Sequence, residues 1–75
     1  MVTLNQVAPG AQARVESLLG PPEAMQRLYE FGLFEGEIIK VLNFAPLGDP
    51  IEISIGNTRL SIRKSEASFI SVTLL

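Results

Sequence analysis

Four carboxylates stand in two close pairs near the middle of the chain. Glu35 and Glu37 are two residues apart, so their side chains could share one face of an extended strand. Asp49 and Glu52 flank a proline-containing turn. Carboxylate oxygens can hold divalent cations, but without imidazole or thiolate ligands they select poorly for iron. We therefore predict no resident metal and no cofactor, and interpret these acids as solvated side chains at turns and strand edges.

The chain lacks most of the residue types that enzymes use for catalysis. The chain contains no histidine and no cysteine, which removes the usual general bases and thiol nucleophiles. The serines have no imidazole to activate them, and an active site needs such a poised acid, base or nucleophile. We predict a protein that is not an enzyme.

An apolar residue in a turn is the first candidate for binding a partner. Leu47 lies between Pro46 and Gly48, where a side chain points away from the strands. Exposed apolar residues of this kind anchor protein interfaces. Phe34 and Phe44 also adjoin turns, but we interpret them as covers for the open ends of a barrel.

Three basic residues form a second candidate group. Arg59, Arg63 and Lys64 are predicted to point outward on a late strand and its exit. Two interpretations stand equally: a contact for an acidic patch on a partner, or a solvated face that discourages edge pairing. An arginine finger toward a bound nucleotide is less favoured. The predicted partner-binding set is Pro46, Leu47, Asp49, Arg59, Arg63 and Lys64.

The elements that position these residues start from a hairpin. Residues 37–42 and 51–55 alternate apolar and polar side chains, which is typical of half-buried strands. Between them, Pro46 suits the first central position of a turn, Gly48 can adopt positive φ, and Pro50 can open a strand.

One helix is predicted, over residues 23–31. Met25, Leu28 and Tyr29 repeat at helical spacing, Glu23 and Arg27 are spaced as an i,i+4 ion pair, and Gly32 can end the helix in a left-handed conformation. The remaining predicted elements are strands at residues 13–18, 59–63 and 70–74 and one helical turn at residues 64–68. Short strands at this spacing indicate a mostly β, partly open, SH3-like barrel of about five strands with one inserted α-helix. The final residues, Leu74 and Leu75, are assigned to the core, to a frayed end, or to a strip for weak self-association.

Composition limits the remaining possibilities. Seventy-five residues form a single domain, 1–75, and 47% of them are hydrophobic. The net charge of −2 is opposite in sign to that of most nucleic-acid-binding modules, so we predict no nucleic-acid partner. No apolar run is long enough for a membrane-spanning helix, and the N-terminus lacks the pattern of a secretory signal. We expect a cytoplasmic protein without direct membrane insertion.

The chain contains an ordered set of motifs: Arg27-Leu28, Gly32-Leu33, Gly36, residues 45–51, residues 60–67 and residues 70–72. Together these motifs resemble the FeoA family, the small cytoplasmic accessory proteins of bacterial ferrous-iron transport. Glu35 stands where that family often has proline before the turn glycine. The resemblance implies an SH3-like barrel and a partner, the FeoB-type membrane transporter with its cytoplasmic GTP-binding domain. Docking on that transporter is the leading hypothesis; regulation of its GTP hydrolysis, or a metal-responsive module like the barrel of iron-dependent repressors, are the alternatives.

Overall fold

A computed structural model describes the whole chain, Met1–Leu75, as one antiparallel sheet with two helices and a short 3-10 turn. No helix of the chain has both the length and the apolar character needed to cross a bilayer. The elements in chain order are β1 Val2–Thr3, a 3-10 turn Leu4–Gln6, β2 Gln12–Leu18, α1 Pro22–Glu30, β3 Ile38–Phe44, β4 Ile51–Ile55, β5 Thr58–Ile62, α2 Lys64–Ala67 and β6 Ile70–Leu74.

The strands form a single sheet in the order β1-β6-β2-β3-β4-β5. All its neighbouring strands are antiparallel. Register shifts lie between Val15 and Ser17 in β2 and between Val41 and Asn43 in β3. Such bulges bend a strand and increase its twist, so they help the sheet to curl around one core. The fold confirms the prediction of a mostly β, partly open, SH3-like barrel.

The strand count differs from the prediction of about five. The additional strand is β1, in which Val2 pairs with Val72 and Thr3 with Ser71. Two residues are too few to show an alternating pattern, and β1 forms because β6 offers it an edge. The sheet stays open, with β1 on one edge and β5 on the other.

The core lies on one face of the sheet and includes side chains from α1 and α2. Cross-strand pairs on this face are apolar: Val15 with Val72, Val41 with Ile53, and Ile53 with Leu60. Side chains from alternate positions of each strand reach the same face, which explains why the period-two pattern predicted the strands well. The buried apolar residues are Leu4, Val7, Ala13, Val15, Leu18, Met25, Leu28, Leu33, Ile39, Val41, Ile51, Ile53, Leu60, Ile62, Ala67, Ile70 and Val72.

Helix α1 runs from Pro22 to Glu30, so it begins and ends one residue earlier than predicted, but Gly32 terminates it in the predicted left-handed conformation. Gly32 has φ of +93°. The N–H of Leu33 donates to the carbonyl of Leu28 at 3.0 Å, and the N–H of Gly32 donates to Tyr29 at 2.9 Å. These two bonds define a Schellman motif. Leu28 and Leu33, both fully buried, supply the apolar pair that usually accompanies it.

The turn between β4 and β5 is a two-residue turn, because Ile55 pairs with Thr58. Gly56 has φ of +57°, and Asn57 has no positive φ. Glycine at the first central position with a negative φ at the second is the pattern of a type II′ turn. This turn fixes the register of β5 against β4.

Candidate functional site

The loop between β3 and β4, residues 45–50, holds the predicted tip. The N–H of Gly48 donates to the carbonyl of Ala45 at 2.7 Å, which closes a β-turn with Pro46 and Leu47 at its central positions. Gly48 has φ of +83°, in agreement with the prediction. Pro50 does not open the strand: β4 begins at Ile51, and the carbonyl of Pro50 accepts from the N–H of Ala45 at 3.0 Å. The Asp49–Pro50 peptide bond is cis.

Leu47 is the most exposed large apolar residue of the chain, with 95% of its surface open to solvent. Pro46 beside it is also exposed. The turn holds this leucine away from the core, so its apolar surface has no partner within the chain.

Asp49 connects this loop to the start of α2. Its Oδ1 accepts a hydrogen bond from the backbone N–H of Lys64 at 2.9 Å. Because Ile51 pairs with Ile62, the loop and the exit of β5 lie at the same end of the β4–β5 hairpin. The structure therefore brings Leu47, Asp49, Arg63 and Lys64 into one region.

Arg59 lies apart from that region, at the other end of β5, where it pairs with Ser54. Arg59 and Arg63 are four positions apart, about 13 Å along an extended chain. Arg59, Arg63 and Lys64 are all exposed. The chain has two ion pairs, Arg14–Glu16 and Arg27–Glu66, so all three of these cations are unpaired.

Glu66 is a residue that sequence reasoning missed. It is the one charged residue that is buried, with 8% of its surface exposed. Both of its carboxylate oxygens accept from Nη2 of Arg27, and Oε1 also accepts from the N–H of Arg63 at 3.0 Å. The predicted Glu23–Arg27 pair does not form. The spacing within the helix suggested that pair, whereas the true partner of Arg27 comes from a distant turn.

The environment of Glu66 acts on its pKa in opposite directions. Burial has the largest single effect and raises the pKa, but the hydrogen bond from Arg27, the N–H of Arg63 and the positive charges of both arginines together outweigh it. The net result is a pKa below the ordinary value. Glu66 is therefore a fixed negative charge at neutral pH that joins α1, the exit of β5 and α2.

Two half-exposed phenylalanines lie near α1 and the chain after β5. The guanidinium of Arg27 lies 5.9 Å from the centre of the Phe31 ring, within the range of a cation–π contact. Phe69 packs against Gly20 so closely that a Cβ at Gly20 would lie 2.7 Å from Cγ of that ring. Phe31 and Phe69 are each about half exposed, at 49% and 42%. Neither was predicted as a surface residue of interest, because the sequence pattern placed no contact between α1 and the chain after β5.

Two of the acids weighed as metal ligands do not share a strand face as predicted, because Glu35 lies in a turn and Glu37 precedes β3, which begins at Ile38. Glu35 accepts a hydrogen bond from the Tyr29 hydroxyl at 2.8 Å, and this bond lowers the pKa of Glu35 and raises that of Tyr29. Asp49 is bonded to the backbone of Lys64. The chain has no group of three acids placed to hold one ion, and its surface has no enclosed pocket.

The two phenylalanines near the turns differ in their surroundings. Phe44 is half-buried against the core, as expected for a residue that covers an end of the barrel. Phe34 is 48% exposed, and its ring lies 5.6 Å from that of Tyr29, centre to centre. Leu74 and Leu75 are exposed, which excludes the core assignment. The N–H of Leu75 donates to Gln12 at 3.1 Å, so the C-terminus is not frayed.

The sheet order, the inserted helix and the turn after β5 together define a small SH3-like domain. The chain belongs to the FeoA domain family, whose model matches residues 2–74. The resemblance noted in the sequence is thereby confirmed.

Solved structures of the family superpose closely. The FeoA protein of Chlorobium tepidum is 40% identical with a TM-score of 0.93, and the match covers 99% of this chain and 70% of that one. A zinc complex of Stenotrophomonas maltophilia FeoA, described as a prokaryotic SH3 domain protein and a possible ferrous-iron transport activating factor, is 30% identical. Its TM-score is 0.82, over 96% of this chain and 89% of that one.

A curated relative joins this domain to a transporter. The Fe(2+) transport protein A/Fe(2+) transporter FeoB fusion protein of Porphyromonas gingivalis is 32% identical over 72 residues. The match covers 96% of this chain and 8% of the fusion protein. The chain therefore corresponds to one small part of that relative.

Proposed function

We propose that this protein is a non-enzymatic accessory protein of ferrous-iron uptake that docks on the cytoplasmic region of a FeoB-type transporter. The observation that carries the proposal is the fusion protein of Porphyromonas gingivalis, in which a domain matching 96% of this chain is joined covalently to the transporter. A covalent link gives two domains a high effective concentration. Where the two are separate chains, a docking surface has to supply the association instead.

The region around the β3–β4 loop has the properties of such a surface. Leu47 offers an apolar side chain that is 95% exposed, and Arg63 and Lys64 offer unpaired positive charges beside it. Asp49 fixes the loop to α2 through the N–H of Lys64, so the apolar and charged groups keep a defined relative position. An apolar anchor with a charged rim is the usual composition of a protein interface.

The direct test is a binding measurement between the purified protein and the cytoplasmic region of the FeoB-type transporter of the same organism. We expect saturable binding by isothermal titration calorimetry, weakening with salt because the rim is charged. Deletion of the gene is expected to reduce Fe(II) uptake, and re-expression to restore it. Normal uptake in the deletion strain, together with no binding in vitro, would exclude the proposal.

A second candidate, regulation of GTP hydrolysis by the transporter, is favoured by the same fusion. It is distinguished from simple docking by one measurement, the GTP turnover of the transporter's cytoplasmic region with and without a saturating amount of this protein. Unchanged turnover alongside measurable binding leaves docking as the function.

A further inference from the structure

One edge of the sheet has backbone groups that face away from the fold. Strand β5 pairs with β4 and has no strand on its other side. The two-residue turn makes Ile55 and Thr58 a hydrogen-bonded pair, and such pairs alternate along an antiparallel ladder. The N–H and C=O groups of Thr58, Leu60 and Ile62 therefore point toward β4. Those of Arg59 and Ser61 point outward.

These outward groups have no partner in the chain. None of the hydrogen bonds outside the ladder, from backbone or side chain, involves Arg59 or Ser61. Both residues are exposed. The next outward N–H, that of Arg63, is taken by Glu66 at 3.0 Å. Glu66 therefore closes the edge at its C-terminal end and leaves two residues with free backbone groups.

The charge beside this edge is positive. Arg59, Arg63 and Lys64 are exposed and unpaired, although the whole chain has a net charge of −2. Glu52 lies opposite Ser61 but forms no ion pair with either neighbouring arginine. A strand bearing acidic side chains would meet cations along the length of β5, and opposite charges on adjacent strands are stabilising.

A second copy of this chain is a poorer occupant. Antiparallel pairing of β5 with another β5 would bring the arginines of both copies together, and like charges on adjacent strands are destabilising. Its positive charge thus disfavours pairing of β5 with the β5 of a second copy, a common protection of sheet edges in natural proteins. The same charge is complementary to an acidic strand.

We propose that the free edge of β5 accepts a short, extended, acidic segment of a partner protein, which adds a strand to the sheet through the backbone groups of Arg59 and Ser61. This inference rests on the proposed docking function and states how the partner is held. Strand addition takes its affinity from the backbone bonds and its selectivity from the side chains alongside. The partner segment ends its pairing near Glu66 and lies close to the loop that carries Leu47.

The test uses two substitutions at one position. Ser61→Pro removes the outward N–H, and an edge strand tolerates proline because that N–H is outside the ladder. Ser61→Ala keeps the N–H and removes only the hydroxyl. Thermal unfolding and the dispersion of amide NMR signals establish that both variants are folded.

The first probe is a short synthetic peptide of alternating valine and glutamate, with a lysine counterpart as control. We expect the glutamate peptide to slow hydrogen exchange at the backbone amides of positions 59 and 61, both in wild type and in Ser61→Ala. Ser61→Pro is expected to bind it about tenfold more weakly. Equal binding of both peptides, equal binding by both variants, or no binding at all would overturn the proposal.

The second probe is the cytoplasmic region of the transporter, and it separates this inference from the docking function. If wild type and both variants bind it equally, docking stands and the strand-addition site is wrong. If wild type fails to bind it, the docking function fails, and the peptide titration still decides whether the edge accepts an acidic strand. Loss of binding in Ser61→Pro alone supports both the docking function and the strand-addition site.

Discussion

The carboxylate of Glu66 and the guanidinium of Arg27 are bonded to each other across 39 positions of sequence. One nitrogen of Arg27 donates to both oxygens of Glu66. Oε1 of Glu66 also accepts a hydrogen bond from the backbone N–H of Arg63. The pair holds α1 against the turn that follows β5. That turn also carries Lys64, whose N–H holds the β3–β4 loop through Asp49. Residues 63–66 are thus connected by hydrogen bonds both to α1 and to the β3–β4 loop.

Substitution Arg27→Ala is expected to destabilise the fold by about 1–2 kcal/mol, because it leaves a buried carboxylate with one backbone donor. This loss of unfolding free energy is smaller than for a fully buried ion pair, because the Arg27 side chain is 42% exposed. The measurement is the free energy of unfolding from urea denaturation. Arg14→Ala is the matched control: it removes an ion pair whose members are both substantially exposed, and we expect a loss below about 0.5 kcal/mol. Equal losses would show that Glu66 is not held by Arg27.

Acid is expected to weaken the fold partly through Glu66. Its pKa in the folded protein lies below the ordinary value of 4.5. The stabilisation from its ionised form is therefore complete above about pH 4.5 and is lost as the pH falls through the lower folded-state value. The variant Glu66→Gln lacks this contribution. The difference in unfolding free energy between wild type and the variant should stay constant from pH 7 to about 4.5 and shrink below it.

The difference is the informative quantity because other carboxylates also respond to acid. The Thr73 hydroxyl and Arg14 lower the pKa of Glu16, and the Tyr29 hydroxyl lowers that of Glu35. Both proteins will therefore lose stability at low pH. A difference that widens as the pH falls would mean that burial dominates and that the pKa of Glu66 is raised.

Gly32→Ala is expected to cost about 1 kcal/mol or more, because the residue has φ of +93°, where a Cβ is strained. The Schellman bonds of Leu33 and Gly32 depend on that conformation. Gly32→Asn serves as the comparison, since asparagine tolerates the left-handed region better than alanine does. Chemical denaturation should show that the free energy of unfolding decreases from wild type to Gly32→Asn to Gly32→Ala. An alanine variant as stable as wild type would refute the strain argument.

The elements that the sequence predicted correctly have local causes. Alternating apolar residues specify β3, β4, β5 and β6, because each strand buries one face. Gly32 specifies the end of α1 because only a residue tolerant of positive φ fits there. These signals lie within a few residues of the structure they determine, so they can be read without the fold.

The features that the sequence did not reveal depend on distant partners. Strand β1 forms only where β6 provides an edge. Arg27 has Glu23 at a suitable spacing, but the fold places Glu66 nearer, and a charge-assisted bond to a buried carboxylate prevails over an exposed pair. For the partner-binding set, the exposure of Leu47 was foreseeable from its turn, whereas its proximity to Lys64 required the β4–β5 register.

Gly20→Ala is expected to destabilise the protein by about 1–3 kcal/mol through overpacking. An added Cβ would lie 2.7 Å from Cγ of Phe69 and 2.9 Å from Cε of Met25. Met25 can move, but the Cβ of Phe69 at 2.8 Å is tied to the backbone. The double variant with Phe69→Ala should recover part of the loss, and a double-mutant cycle measures the coupling. Phe69→Ala keeps its own Cβ, so the cycle reports on the contact with the ring alone, and purely additive losses would show that the Cγ contact at 2.7 Å does not cause the overpacking.

Leu47→Asp is expected to weaken binding to the transporter's cytoplasmic region by about tenfold or more while leaving the stability within about 0.5 kcal/mol of wild type. The side chain is 95% exposed, so its removal costs the fold little. Placing a charge at an apolar anchor opposes its desolvation on binding.

Leu19→Asp is the matched control for that variant. Leu19 is also an exposed leucine, at 78%, and the substitution adds the same charge at a position just after β2. Any loss caused by a lower net charge alone will appear in both variants, so the difference in Kd between them reports on the β3–β4 loop. If both variants bind equally well, Leu47 is not the anchor, and the candidates that remain from the set predicted from the sequence are Pro46, Asp49, Arg59, Arg63 and Lys64.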